Sequence, residues 1–191
     1  VKIEKAMSLS LNLVGHDYDM ISLYGAHMEE RNIQRSAVVM GNQRVFSRRG
    51  ASSHQFNPFM ALVGKDTDET KGDVFAFNFV YSGNFLDEVE VDQNGHTRVQ
   101  VGLGDEDFGF KLEAGESFEA PEAIMMYTPN GLGDMSRKMH SFVREAIVPR
   151  DPMEKRPIVL NTWEACYFDI DQQKLIDFAY EGVKYGMDML V

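Results

Sequence analysis

A chain of 191 residues, 43% hydrophobic and 26% charged, has the composition of a globular protein that can bury its own core in one or two domains. Its formal net charge of -11 excludes binding to nucleic acid by neutralising phosphates and fits an anionic membrane surface poorly. The lone cysteine, Cys166, excludes an internal disulfide and fits a reducing, cytoplasmic compartment, and no apolar run reaches the roughly 20 residues of a membrane-spanning helix.

The first residues, VKIEKAMSLSLNL, carry no signal-peptide pattern and no initiator methionine. They already alternate as a strand does, so a chain cut at this end is expected. Residues 7–13 alternate with period two, and 20–26 and 33–40 are further strand candidates. A polar loop, residues 48–59, leads to a strand that starts at Pro58. Residues 74–81, VFAFNFVY, are apolar on both faces, with Phe75, Phe77, Phe79 and Tyr81 on one and Val74, Ala76 and Val80 on the other. Such a strand is covered on both sides. Ser82-Gly83-Asn84 turns the chain, and 86–91 and 96–103 flank Asn94-Gly95, a strong hairpin signal. Strands at 108–112 and 117–127 complete an antiparallel sandwich over residues 1–130.

The pattern then changes. Asp134 is a candidate N-cap for an amphipathic helix over 135–147, with Met135, Met139, Phe142, Val143, Ala146 and Ile147 on its apolar stripe. Pro149 and Pro152 end it, so 131–155 reads as a linking segment. Residues 156–191 read as one β-α-β unit. A buried strand at 158–160 precedes a helix over 172–185 that is capped by Asp171, stopped by Gly186 and turned inward at Leu175, Ile176, Ala179 and Val183. A parallel strand at 187–191 follows.

Trp163, the one tryptophan, falls just past the carboxyl end of the first of these strands, where open α/β sheets and β/α barrels bind ligands. Its indole can stack on the apolar face of a sugar ring, or pack in the core against the following helix. Glu164 and Asp169 stand near it. Paired carboxylates would suit a retaining glycosidase, while Asp169 and Asp171 are more simply helix N-terminal residues. His54, beside Ser52 and Ser53, lacks the acidic partner of a triad, and the loop around it reads as a hydrogen-bonded structural loop. His140, four residues after Ser136, reads as a surface histidine. The five histidines show no metal-ligand spacing, Cys166 has no partner for a redox or metal motif, and Gly102 and Gly104 precede no helix that could cradle phosphate. No cofactor and no metal are expected. The 12 methionines read as core filler.

Four separated segments, RGASSHQFNPFMAL (residues 49–62), TRVQVGL (97–103), LEAGESFEAPEAIMMYTPNGLGDMSRKMHSFVR (112–144) and RPIVLNTWEACYFD (156–169), resemble bacterial α-galactosidases of glycoside hydrolase family 36, the melibiases, in the family's order. The resemblance implies the later part of an N-terminal β-supersandwich of galactose-mutarotase-like type, a linking helix, and the first β-α-β of an incomplete TIM barrel. It implies retaining hydrolysis of terminal α-galactosides of the melibiose and raffinose type, in a homo-oligomer. It carries over one substrate-contacting position, Trp163. The family's aspartate nucleophile and acid/base follow later barrel strands, so the chain by itself is expected to be inactive, and Glu164 and Asp169 are expected to be structural. Thr162 stands where the family pattern has Asn, and Cys166 where it has Thr. The alternative is a non-catalytic carbohydrate-binding or oligomerisation module built on the sandwich. A sugar-binding module would place its tryptophan on a sheet face, and Trp163 does not sit there.

Overall fold

Period-two alternation builds most of this molecule. The computed structural model describes residues 1–106, 108–148 and 156–191, which form two compact units, Val1–Ile147 and Val148–Val191. The first unit holds strands β1 (Lys2–Ile3), β2 (Ala6–Leu13), β3 (Tyr18–Ala26), β4 (Glu29–Ala37), β5 (Gly41–Ser47), β6 (Phe56–Gly64), β7 (Val74–Phe79), β8 (Phe85–Val91), β9 (Thr97–Leu103), β10 (Phe110–Lys111) and β11 (Ala123–Thr128). They give a five-stranded sheet, β11-β7-β6-β3-β4, and a four-stranded sheet, β2-β9-β8-β5, while β1 pairs with β10 alone. All these pairings are antiparallel.

The main core lies between the two sheets. Met60, Leu62, Phe77 and Phe79 from one sheet pack with Val45, Phe85, Val89, Val99 and Val101 from the other. The opposite face of β6 and β7 is buried too, in a second cluster of Ile21, Ala61, Val63, Val74, Ala76 and Met135. That second layer is why VFAFNF is apolar on both faces. Asn94-Gly95 forms the expected turn, with Gly95 at φ +78° and Asp92 Oδ1 accepting from the N–H groups of Asn94 (2.8 Å) and His96 (2.9 Å).

Several expectations are corrected. Strand β4 begins at Glu29 and stops at Ala37, because a tight turn at Met28, with φ +66°, starts the hairpin early. Strand β5 was not anticipated, since only Val45 on it is a fully buried apolar side chain. Strand β6 starts at Phe56 and not at Pro58. The strand expected over 117–127 is confined to Ala123–Thr128. Pro121 has no N–H to contribute to a ladder.

Helix α1 (Gly131–Phe142) runs on through a π-helical turn, Val143–Ile147. Asp134 is not its N-cap. The first N–H groups, those of Gly131, Leu132 and Gly133, donate to the carbonyls of Gly72 (2.9 Å), Asp68 (2.9 Å) and Glu69 (3.0 Å). These distant carbonyls satisfy the orphan donors of the first turn, so the helix starts four residues before the expected position. Asp134 instead accepts from the Thr128 hydroxyl and pairs with Lys138 at 2.8 Å. Met135 is buried on the sheet, but Phe142, Ala146 and Ile147 are exposed. The expected proline linker at Pro149 and Pro152 lies outside the described residues.

The second unit holds β12 (Val159–Leu160), a short helix α2 (Trp163–Cys166), α3 (Gln172–Lys184) and β13 (Met189–Leu190), with β12 and β13 parallel. Asp171 caps α3 as expected, its Oδ1 accepting from Lys174 N–H at 2.9 Å, and Gly186 at φ +79° follows its end. The inward face is corrected to Leu175, Phe178 and Gly182. Ile176, Ala179 and Val183 are exposed. Gly182 allows close packing, since a Cβ there would stand 3.4 Å from Leu160 Cδ2.

Candidate functional site

The end of β12 is fixed by the chain's own backbone. Thr162, buried, donates both its N–H (2.9 Å) and its hydroxyl (3.0 Å) to the Val191 carbonyl. Asn161 Oδ1 accepts from Trp163 N–H at 2.8 Å, an Asx-type turn just ahead of α2, whose N-cap is Thr162. Four residues later Tyr167 N–H donates to Trp163 O at 2.7 Å, and Tyr167 takes φ +48°, ψ -117°. A non-glycine residue in that region is strained. The chain direction therefore reverses within one turn and brings three aromatic side chains together.

Trp163 sits in that turn with 46% of its surface exposed. The ring of Tyr167 meets the indole edge-on at 5.4 Å and that of Phe168 at 5.0 Å, and Phe168 is itself 88% exposed. The indole is thus held by neighbours and open to solvent, the condition a ring needs to act as a stacking platform. Tyr167 and Phe168 were missed as part of this group. The signal available for them was the density of aromatics in TWEACYF.

Two of the acidic residues nearby are engaged in local contacts. Asp169 pairs with Lys174 Nζ at 2.8 Å, and its carbonyl accepts from the same group at 3.0 Å. Asp171 is occupied as the cap of α3. Hydrogen bonding to Asp169, reinforced by the charges of Asp169 and Asp171, raises the Lys174 ammonium above its ordinary value. Glu164 is exposed beside them. Cys166 is half-buried and free. Among the described residues no group of three histidine, cysteine, aspartate or glutamate side chains is placed to hold a metal ion, and no helix is long and apolar enough to cross a membrane.

In the first unit, the loop ahead of β6 is tied down by its own side chains. Ser47 donates to Ala51 O, Asn84 Oδ1 accepts from Gly50 N–H at 2.7 Å, and Ser53 Oγ accepts from Gln55 N–H at 3.2 Å. His54 and His140 are both exposed, and neither is joined to a serine. Gly102 faces the bulge in β2, where a Cβ would stand 2.5 Å from Ala6 O, so glycine lets the two strands pack closely.

Comparison with known proteins places this chain among the glycosyl hydrolases. Residues 1–113 match the profile described as Glycosyl hydrolase family 36 N-terminal domain, and residues 117–191 match the profile Melibiase. The chain belongs to glycoside hydrolase family 36. It is 45% identical, over its whole length, to the α-galactosidase AgaA of Geobacillus stearothermophilus and 42% identical to the α-galactosidase Mel36A of Lactobacillus acidophilus. It spans 26% of the length of each. The crystal structure of AgaA A355E D548N in complex with raffinose superposes on 99% of this chain with a TM-score of 0.94, and that of the Lactobacillus brevis α-galactosidase with a TM-score of 0.95 at 40% identity, each match covering 26% of the longer chain. The mainly β architecture followed by a parallel β-α-β unit is that of the family's N-terminal sandwich and the start of its catalytic domain. A free-standing sandwich module is not favoured, because the likeness continues through Melibiase to Val191.

Proposed function

We propose that this chain is part of a bacterial, cytoplasmic, homo-oligomeric α-galactosidase that removes terminal α-D-galactosyl residues, with retention, from oligosaccharides of the melibiose and raffinose type. Residues 1–130 serve as the sandwich, 131–155 as the link, and 156–191 as the opening β-α-β of the catalytic barrel. The observation that carries the reading is unbroken similarity to α-galactosidases over 100% of the chain. Trp163 is assigned to the substrate: an exposed indole, braced edge-on by Tyr167 and Phe168, offers a flat apolar face to the C–H face of galactose. The described chain does no hydrolysis by itself. Retaining catalysis needs two carboxyl groups about 5–5.5 Å apart across the bond, and Asp169 is paired with Lys174.

The test is hydrolysis of an aryl α-galactoside by this chain and by a protein extended to the relatives' length. Turnover only in the longer protein, reduced about tenfold in kcat/KM by Trp163→Ala, is expected; tenfold corresponds to about 1.4 kcal/mol of transition-state stabilisation. Turnover by the 191-residue chain that is lost in Glu164→Ala or Asp169→Ala would overturn the reading.

A further inference from the structure

The sandwich carries a concave site of its own, wholly within the first unit. A cleft of about 220 Å³ opens at the end of the four-stranded sheet, with Phe46, Tyr81 and Phe108 as aromatic walls and Arg44, Asn84 and Glu106 as polar ones. Its size lies below the roughly 300–1,000 Å³ of drug-sized pockets, which leaves room for a single ring.

Two glycines keep it open. A Cβ on Gly83 would stand 2.4 Å from the Tyr81 ring, so only glycine lets that ring lie across the turn. A Cβ on Gly104 would stand 2.9 Å from two side-chain carbons of Leu86, on the cleft floor. Tyr81 is also braced by Phe79, with ring centroids 5.7 Å apart, yet remains 44% exposed. Phe46 is stacked on Phe56, with ring centroids 6.2 Å apart, and is 40% exposed. Both rings are thus fixed in place while presenting apolar faces to water.

The polar groups select the ligand's charge. Arg44 Nη1 stands 3.4 Å from Glu106 Oε1, and Arg48 Nη1 3.0 Å from Glu106 Oε2. An anion would have to displace Glu106, and a cation would face guanidinium groups. Asn84 Oδ1 is taken by Gly50 N–H, while its NH2 has no protein acceptor among the described residues. A neutral ligand with one apolar face and several hydroxyls fits: its C–H face lies on Tyr81, its hydroxyls accept from Asn84 Nδ2 and bridge Arg44 and Glu106. From this geometry we infer that the cleft between Tyr81, Asn84 and Phe46 is a second carbohydrate site, taking one neutral hexopyranose unit apart from Trp163.

The experiment titrates the chain with methyl α-galactopyranoside and methyl α-glucopyranoside while NMR follows the Asn84 side-chain amide and the Tyr81 ring. Saturable shifts in the millimolar range are expected, unchanged in Trp163→Ala. Asn84→Asp keeps the acceptor for Gly50 and removes the free donor, so affinity falls about two- to tenfold, the worth of one hydrogen bond. Tyr81→Leu, which keeps apolar bulk but not the flat ring, abolishes saturation. Absence of saturable shifts for both sugars in the parent chain overturns the site. So do shifts that disappear in Trp163→Ala and persist in Tyr81→Leu. The first result leaves the Trp163 proposal untouched, since that is read by turnover in the longer protein; the second would assign the bound sugar to Trp163.

Discussion

Asp87 and Glu88 are neighbours on β8 and meet opposite surroundings. Asp87 points between the sheets, fully buried, paired in register with Val45 and Val101, and neither of its oxygens has a hydrogen-bond partner among the described residues. Burial alone pushes its carboxyl well above the ordinary carboxylate range. Glu88 points outward. Burial pushes it up as well, but hydrogen bonds from Lys5 (2.6 Å) and Asn42 (3.1 Å) and the charges of Lys5 and Arg44 outweigh that, and its net displacement is downward.

The raised Asp87 has a definite pH signature. The folded state holds this proton more tightly than the unfolded chain. Its contribution to stability is therefore fully present below the ordinary aspartate value of about 3.9 and is lost as pH rises toward the raised folded value. Asp87→Asn has the shape of the protonated acid and does not titrate. The variant is expected to match the parent in urea midpoint near pH 4 and to exceed it at pH 8. Equal midpoints at both pH values would show that Asp87 finds a partner.

Glu88 behaves in the opposite sense. With its folded value lowered, its stabilisation is present above the ordinary glutamate value of about 4.3 and is lost as pH falls through the folded one. Glu88→Ala leaves Lys5, Asn42 and Arg44 without their shared acceptor. A loss of about 1.5–3 kcal/mol at pH 7 is expected from denaturant titration, the range for hydrogen bonds to charged groups. The difference between variant and parent shrinks as the pH is lowered.

How far these features could be read from the chain differs with their cause. The β8–β9 hairpin was legible because Asn94-Gly95 marks a turn between two strand-like runs, although only Gly95 takes a positive φ in the loop that joins them. Asp87 was legible in principle, since Phe85, Val89 and Val91 share its face. The start of α1 was not, because the carbonyls that receive its first N–H groups come from residues 68–72, brought there by the fold. Strand β5 was hidden by its polar outer face, which pairs with Glu88. The exposure of Trp163 could not be read at all. Stacking and core packing demand the same residue, and only the reversal at Tyr167 separates them.

Gly131 joins α1 to the loop that caps it. It takes φ +80°, and a Cβ would stand 2.5 Å from both Asp68 O and Lys71 N and 2.8 Å from Thr70 N. All three are backbone atoms that cannot swing aside. Gly131→Ala therefore combines left-handed strain with overpacking, and a loss on the order of 2 kcal/mol or more is expected. Gly186→Ala is the control, with φ +79° and open space around its Cβ position. It is expected to lose about 1 kcal/mol, the left-handed strain alone. Thermal unfolding of the two variants separates strain from clash.

The second unit has little to hold it. Among its described residues two strands of two residues each pair only with one another, and Thr162 and Gly182 alone are buried. An isolated two-stranded sheet is marginal in water, and Phe168, Tyr180, Val183 and Tyr185 stay largely exposed. In this chain, amide exchange at β12, α3 and β13 is expected to proceed through local opening, far faster than at β6, β7 and β9, whose side chains fill the two cores. Protection at Leu160 and Leu190 equal to that at Phe77 would mean that the unit's edge and apolar face are covered in solution. Repeating the exchange at tenfold lower protein concentration then separates the two sources of that cover. Protection that falls on dilution comes from a second copy of the chain, and protection that persists comes from within it.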